Sequence, residues 1–329
     1  MSKDHSTAMP AEGSTEAPGL VAGIDIGGTK IAAMLVDGSG RIVARGQVSA
    51  PAREGGAAMA DAAADLTREL LEQQDAVLLA AGVGAAGVID HATGTVRAAS
   101  ATFVDWVGFP LAAELRERLG VPVAIENDVN AFLLGELSHG TATDSDVLGV
   151  MLGTGVGGAL VLDGRLRHGS HGAAGEIGHT PGYSTVRCTC GQVGHLETLA
   201  SGTSIGLRYG ERTGEGGLSA HEVADRARTG DVDAIAVYET AGRAVALACA
   251  SAAGILDLSS AIVGGGVSRA WDLLAPAIEQ ALVTDSPVSG VPVHIVPATL
   301  HTDAVALGAA AAARALVPAA PAREEPVVA

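Results

Sequence analysis

The chain has 329 residues, which sets an expectation of about two domains. Its net charge is −17, and so large an excess of acid excludes a protein whose main task is gripping phosphate backbone, which needs clustered Lys and Arg. Hydrophobic residues make up 48% but aromatics only 2%, so the cores must be built from Ala, Val, Leu and Ile.

Residues 1–18 and 317–329 are rich in Ala, Pro, Glu and Ser and are predicted to be disordered tails. The first of them lacks the apolar core of a signal peptide. Residues 20–26 are short and apolar, as a buried strand is. Residues 31–37 form a second strand, Asp37-Gly38-Ser39-Gly40 a hairpin turn, and 41–49 a third strand. Helical spacing of Met59, Ala63, Leu66, Leu70 and Leu71 predicts a helix over 57–74. A strand at 77–83, a helix at 111–119 and a strand at 122–126 follow.

Strands at 147–152 and 159–163 open a second series, followed by an irregular stretch with Gly, His and Cys over 168–197. Helices are predicted at 219–228, 232–253 and 267–283, strands at 260–263 and 291–296, and an Ala-rich helix at 302–313. The longest apolar stretch, 244–263, contains Asp257, Ser259 and Ser260, so it is a buried helix and a buried strand rather than a membrane span. The halves look like two copies of one α/β plan with a cleft between them.

Glycine, 45 residues and about twice the usual share, gathers in short runs between these elements. In Asp25-Ile26-Gly27-Gly28-Thr29-Lys30 the glycines allow a sharp turn whose N–H groups can cradle phosphate oxygens. Asp25 could orient a hydrated Mg²⁺ there, with Thr29 and Lys30 as donors; a plain hairpin turn is the alternative. Gly153-Thr154-Gly155-Val156-Gly157-Gly158 contains a formal G-x-G-x-x-G, but a strand follows it rather than a helix. A β-turn-β phosphate loop fits it better than a dinucleotide fingerprint. Gly264-Gly265-Gly266 at a strand-to-helix junction leaves room for a flat group such as adenine, or simply makes a tight helix entry.

Glu126-Asn127-Asp128-Val129-Asn130 ends a strand and starts a helix. Asn127 or Asp128 can cap that helix, or the pair can face a polyol, accepting its hydroxyls or taking a proton from one. Three cysteines are too few and too oddly numbered for a disulfide framework, which points to a reduced compartment. Cys188 and Cys190 instead join His179 and His195 as a plausible tetrahedral Zn²⁺ set. The C-x-C-x₄-H spacing is not that of a nucleic-acid finger. The ion would pin a loop that carries Glu176 and Glu197 towards the cleft. His168, His171, His221, His294 and His301 are read as surface or satisfied core residues.

These motifs, DIGGTK at 25–30, ENDVNA at 126–131, LGTGVGGALVLDG at 152–164, GEIGH at 175–179, CTCGQVGHLE at 188–197 and GGGVS at 264–268, stand in an order that resembles the ROK family over about 20–315. The resemblance implies the actin-like ATPase fold of the ribonuclease H-like class: two duplicated α/β domains around a cleft. The expected boundaries are a small domain over 19–126, a helix near 302–316 packing back on it, and a large domain over 127–301 with a zinc-binding loop at 175–197. The implied activity is ATP-dependent phosphorylation of a hexose at its 6-hydroxyl, with glucose as first candidate. An N-acetylated or amino hexose, such as N-acetylmannosamine or N-acetylglucosamine, is the alternative, and a non-catalytic sugar-binding regulator the third reading. The acidic chain argues against polyphosphate as donor.

Asp128 matches the family's catalytic base, and Asn127, Glu176, His179 and Glu197 its sugar-binding positions. Asp25, Gly27, Gly28, Thr29 and Lys30 match the first phosphate loop, Gly153, Thr154, Gly155 and Gly157 the second, and Gly265 and Gly266 the adenosine motif. His179, Cys188 and Cys190 match zinc ligands; His195 stands where the family usually has a third Cys, and an imidazole can take that place on Zn²⁺. The implied cofactors are ATP with Mg²⁺ and a structural Zn²⁺. The expected setting is a cytoplasmic homodimer with no nucleic-acid or membrane partner, since no helix-turn-helix fits in the 19 residues before the first motif strand.

Overall fold

The computed structural model describes residues 19–100, 102–141 and 143–318. The tails predicted at 1–18 and 317–329 lie outside these residues except for 317 and 318. The first half runs β1 (Gly19–Ile26), β2 (Lys30–Val36), β3 (Ile42–Ser49), α1 (Gly56–Glu72), β4 (Val77–Ala85), β5 (Val88–Asp90), β6 (Thr95–Ala98), α2 (Leu111–Leu119) and β7 (Val123–Asn127). Helix α3 (Asp128–His139) leads to β8 (Val147–Leu152), β9 (Val156–Leu162) and β10 (Arg165–Leu166). Then come α4 (Glu197–Ala200), α5 (Gly202–Thr213), α6 (Ala220–Arg228), α7 (Val232–Leu256), β11 (Ser260–Gly264), α8 (Trp271–Thr284), β12 (His294–Pro297) and α9 (Ala304–Arg314).

The strands form two five-stranded sheets of matching order, β3-β2-β1-β4-β7 and β10-β9-β8-β11-β12. In each, three antiparallel hairpin-linked strands are continued by two parallel ones. Burial on both faces explains why β1 is apolar up to Asp25 at its end. Ala22, Ile24 and Ile26 enter the core shared with Met59, Ala63 and Leu66 of α1. Val21 packs on the other face with Ala306, Leu307 and Ala310 of α9. A parallel strand covered on both sides has no polar face to keep.

Two helices lie between the sheets. Val129, Phe132 and Leu133 of α3 join a core with Val147, Val161 and Ile262 of the second sheet, while α9 covers the first sheet. Helices α3 and α9 touch backbone to backbone. A Cβ at Gly308 would stand 1.7 Å from the Ala131 carbonyl oxygen, and one at Gly135 2.1 Å from that of Ala304. Only glycine permits that approach.

The structure departs from the sequence expectations in places. Strand β9 starts at Val156, three residues early, and thus runs through Gly157 and Gly158. Helix α8 starts at Trp271, because residues 267–270 form a 3-10 turn first, and β12 spans His294–Pro297. The β5–β6 hairpin and helices α4 and α5 were not predicted. Among the described residues no helix is long and apolar enough to cross a membrane.

Candidate active site

Strand β7 delivers Asn127 and Asp128 to the start of α3. Asn127 is the N-cap: its Oδ1 accepts from the amides of Val129 (2.9 Å) and Asn130 (3.3 Å). Its Nδ2 donates to the Gly87 carbonyl (2.8 Å) and to Asp128 Oδ1 (2.9 Å). The Val129 amide also donates to Asp128 Oδ1, at 3.0 Å. One carboxylate oxygen is thereby held, and Oδ2 carries no protein hydrogen bond among the described residues.

Burial, and next the negative charge of Asp25, push the Asp128 carboxyl up from 3.8 to about 7. Asp25 itself, at the end of β1, is pushed up to about 6 by burial, offset in part by Lys30. The cap and catalytic readings of this motif are therefore compatible, with Asn127 the cap and Asp128 the perturbed acid. In the first glycine loop the Gly27 amide already donates to the Lys30 carbonyl (3.1 Å). A phosphate there is left the amides of Gly28 and Thr29, a smaller cradle than the sequence suggested.

The second loop lies directly on α3. A Cβ at Gly157 would come within 2.6 Å of Val129, and one at Gly155 within 2.5 Å of Glu197 Oε2. Glu197 Oε2 accepts from the Val156 amide (3.0 Å), and its Oε1 from Thr189 Oγ1 (2.9 Å). Glu176, His179 and Glu197 share one electrostatic field: burial and Glu197 raise the Glu176 carboxyl, and His179 opposes. Gly175, before Glu176, sits against Gly158 of β9, so the strand that follows the phosphate loop also seats this acid.

His179, Cys188, Cys190 and His195 offer four ligand atoms within 4.8 Å of one another. The two histidine Nδ1 atoms are 3.3 Å apart, Cys190 Sγ is 3.3 Å from His195 Nδ1, and Cys188 Sγ is 3.8 Å from His179 Nδ1. A tetrahedron with Zn–N about 2.0 Å and Zn–S about 2.3 Å puts ligand atoms about 3.3–3.8 Å apart, so the set fits. His195 is buried and turns its Nε2 to Gln192 Oε1 (3.1 Å), which leaves Nδ1 for the ion. His179 likewise turns Nδ1 to the cluster and keeps Nε2 for another partner. Thr189 and Gln192 were not singled out from sequence; their places inside the CTCGQVGH motif were the available signal.

A cavity of about 960 Å³ opens beside this site, a size that suits a mononucleotide. Its walls include Gly153, Thr154, Thr203, Tyr238, Gly266 and Val267. Gly266 of the third glycine run thus lines it, while the α5–α6 wall with Thr203 was not foreseen. A second cavity, about 450 Å³, shares Thr154 and Thr203 with the first and reaches Gly155, Thr189 and Glu197. The two cavities therefore meet at the second phosphate loop. Asp25, at the end of β1, feels the charges of Lys30 and of Asp128 rather than lining either cavity.

Comparison with known proteins agrees with this architecture. The model of the ROK family matches residues 21–315. A glucokinase of Halalkalibacterium halodurans is 34% identical over 277 residues, 78% of this chain and 83% of its own length. An N-acetylmannosamine kinase of Yersinia pseudotuberculosis is 34% identical over 296 residues, 89% of this chain and 97% of its own. Among solved structures, a ROK family glucokinase from Streptomyces griseus in complex with glucose and AMPPNP matches with a TM-score of 0.77 at 32% identity, over 90% of this chain and 99% of that one. The duplicated sheets with α3 and α9 between them are the actin-like ATPase fold.

Proposed function

This chain belongs to the ROK family, and we propose that it is an ATP-dependent kinase that transfers the γ-phosphoryl of Mg-ATP to the 6-hydroxyl of a hexose, glucose first. The observation that carries the reading is the Asp128 carboxyl. It is raised to about 7, held by one oxygen, and set at the helix start that the second phosphate loop packs against. A base with a value near neutrality takes a hydroxyl proton most effectively.

In this reading Asp128 Oδ2 accepts the proton of the sugar hydroxyl as its oxygen attacks the γ-phosphorus. Asn127 keeps Oδ1 fixed, and Glu176, His179 Nε2 and Glu197 bind the other hydroxyls. The nucleotide base lies in the large cavity near Gly265 and Gly266. Its phosphates meet the amides of Gly28 and Thr29, with Lys30, on one side and of Thr154 and Gly155 on the other. Phosphoryl transfer is mainly positioning and charge neutralisation, which backbone amides supply without reorganisation. Asp25 would orient Mg²⁺ on the nucleotide, and the ion would supply charge neutralisation at the transferring group. His179, Cys188, Cys190 and His195 would hold a Zn²⁺ ion, and the cross-link would keep Thr189 against Glu197.

An N-acetylated or amino hexose is the second reading, favoured by the N-acetylmannosamine kinase relative, which is also 34% identical. We further propose a cytoplasmic homodimer; its three cysteines are unbridged, and sedimentation velocity reads the assembly. The test of function is ADP release with Mg-ATP over glucose, mannose, glucosamine, N-acetylglucosamine and N-acetylmannosamine, with Asp128→Asn as control. Turnover of one sugar, absent in the control, is expected. No turnover of any sugar by folded protein overturns the kinase reading.

A further inference from the structure

Glu126 is buried, 7% exposed, directly before Asn127 and Asp128. No Lys or Arg among the described residues forms an ion pair with it. Its carboxylate instead meets two imidazoles. His168 Nε2 lies 2.9 Å from Oε2 and 3.1 Å from Oε1, and His91 Nδ1 lies 3.7 Å from Oε1. The side-chain Nδ2 of Asn130 donates to Oε2 at 3.5 Å. The rings of His91 and His168 stack, with centroids 3.6 Å apart and planes 17° from parallel. A carboxylate only accepts, so His168 Nε2 carries a proton and donates it. A buried carboxylate without such a donor is costly, which makes this contact specific.

The contact joins the halves. Glu126 ends β7 of the first sheet, and His91 sits in the β5–β6 turn beside it. His168 follows β10 of the second sheet, and its carbonyl accepts from the Ala174 amide (3.1 Å), closing the loop that ends in Gly175-Glu176. Gly172 of this loop presses on β5, where a Cβ would stand 2.7 Å from the Ile89 carbonyl oxygen. His168 thus fixes the base of the loop bearing Glu176 to the strand end bearing Asn127 and Asp128. The three side chains also bring their ligand atoms within 4.8 Å of one another, close enough to share a metal. The stacking argues against that occupant. Lone pairs of nearly parallel rings run side by side, whereas a shared ion needs them to converge.

We propose that His168, backed by His91, is a positioning residue: through Glu126 it sets the register across the cleft of the sugar-binding residues of the two halves. The inference rests on the kinase reading above and deepens it. Four proteins test it, wild type, His168→Ala, Glu126→Gln and the double variant, with His168→Gln as a fifth that keeps a neutral N–H donor. Each single change is expected to raise the sugar KM about tenfold with the ATP KM unchanged, and the double variant to be no worse than the worse single. His168→Gln recovers most of the loss.

A wild type that phosphorylates sugar, beside a His168→Ala variant of unchanged sugar KM, overturns the positioning role and leaves the kinase reading standing. Equal rises in both KM values with a lowered Tm reduce the link to plain stability and overturn it too. Loss of one equivalent of bound metal from His168→Ala, by elemental analysis, makes the cluster a metal site and replaces the proposal. If wild type phosphorylates no sugar, the kinase reading fails by itself. The link is then read from melting temperatures of the same four proteins, where additive losses overturn it and non-additive losses sustain it.

Discussion

The base role proposed for Asp128 needs its carboxyl charged in a place where folding favours it neutral. Its carboxyl rises from 3.8 to about 7 through burial and the facing charge of Asp25. Two consequences follow from the sign. The folded state binds the proton more tightly, so the stability that protonated Asp128 contributes is full below about pH 4 and lost as pH rises through about 7. Asp128→Asn, which keeps an acceptor for the Val129 amide, should therefore raise stability at pH 8 by about 1–3 kcal/mol while cutting kcat by roughly two to four orders of magnitude. Calorimetric melting and steady-state assays on the same sample check both; a loss of stability with retained kcat contradicts the account twice. In wild type, kcat/KM should fall as pH drops below about 7, with a slope of one proton. Asp25→Asn removes the like charge, and NMR titration of the Asp128 carboxyl in that variant should find it lower.

At the scale of elements, the proposed metal loop carries Glu176 and His179 towards the sugar and fixes Glu197 as well. Thr189, between Cys188 and Cys190, donates to one oxygen of Glu197 while the Val156 amide takes the other. Cys188→Ser should release the ion, free Thr189 and raise the sugar KM while leaving the ATP KM near wild type. Elemental analysis with the two KM values checks this, and full sugar affinity in a metal-free variant defeats it. The α3–α9 contact admits no such tuning. Gly308→Ala drives a methyl into the Ala131 carbonyl and should cost about 3 kcal/mol or more, read by denaturant unfolding. The elements legible in sequence were those with clear periodicity or a bounded apolar run: β1 to β4, α1, α2, β7, β8, α6, α7, β11 and α9. Helix α5 escaped because Gly202, Gly206 and Gly210 interrupt its apolar rows, and the β5–β6 hairpin because its strands have three and four residues. Of the candidate site, the glycine loops, Asp128 and the cluster of His179, Cys188, Cys190 and His195 were legible because each lies in a short local motif. His168 was not, since its partner Glu126 is 42 residues away and no local pattern signals the pair.

For the molecule as a whole, the two sheets share an order but not a core. Each half has its own cluster, and α3 and α9 stack between them, α9 mainly on the first sheet and α3 against strands of both. Gly135 and Gly308 let the two backbones touch, so this pair is the close-packed seam between the sheets. The proposed ligands straddle this seam: Asp25 and Gly28 in the first half, Thr154, Glu176 and Glu197 in the second, with Asp128 at the start of α3 between them. Neither a sugar nor a nucleotide alone engages every residue of both sets. Closure that excludes water from the transfer should therefore need both. Small-angle scattering should find a smaller radius of gyration with glucose and AMPPNP together than with either alone. Their stabilisation of the fold should exceed the sum of the separate effects, because the first ligand bears the cost of ordering that the second then avoids. Additive melting shifts, or full contraction with one ligand, would mean that the halves close independently of the completed site.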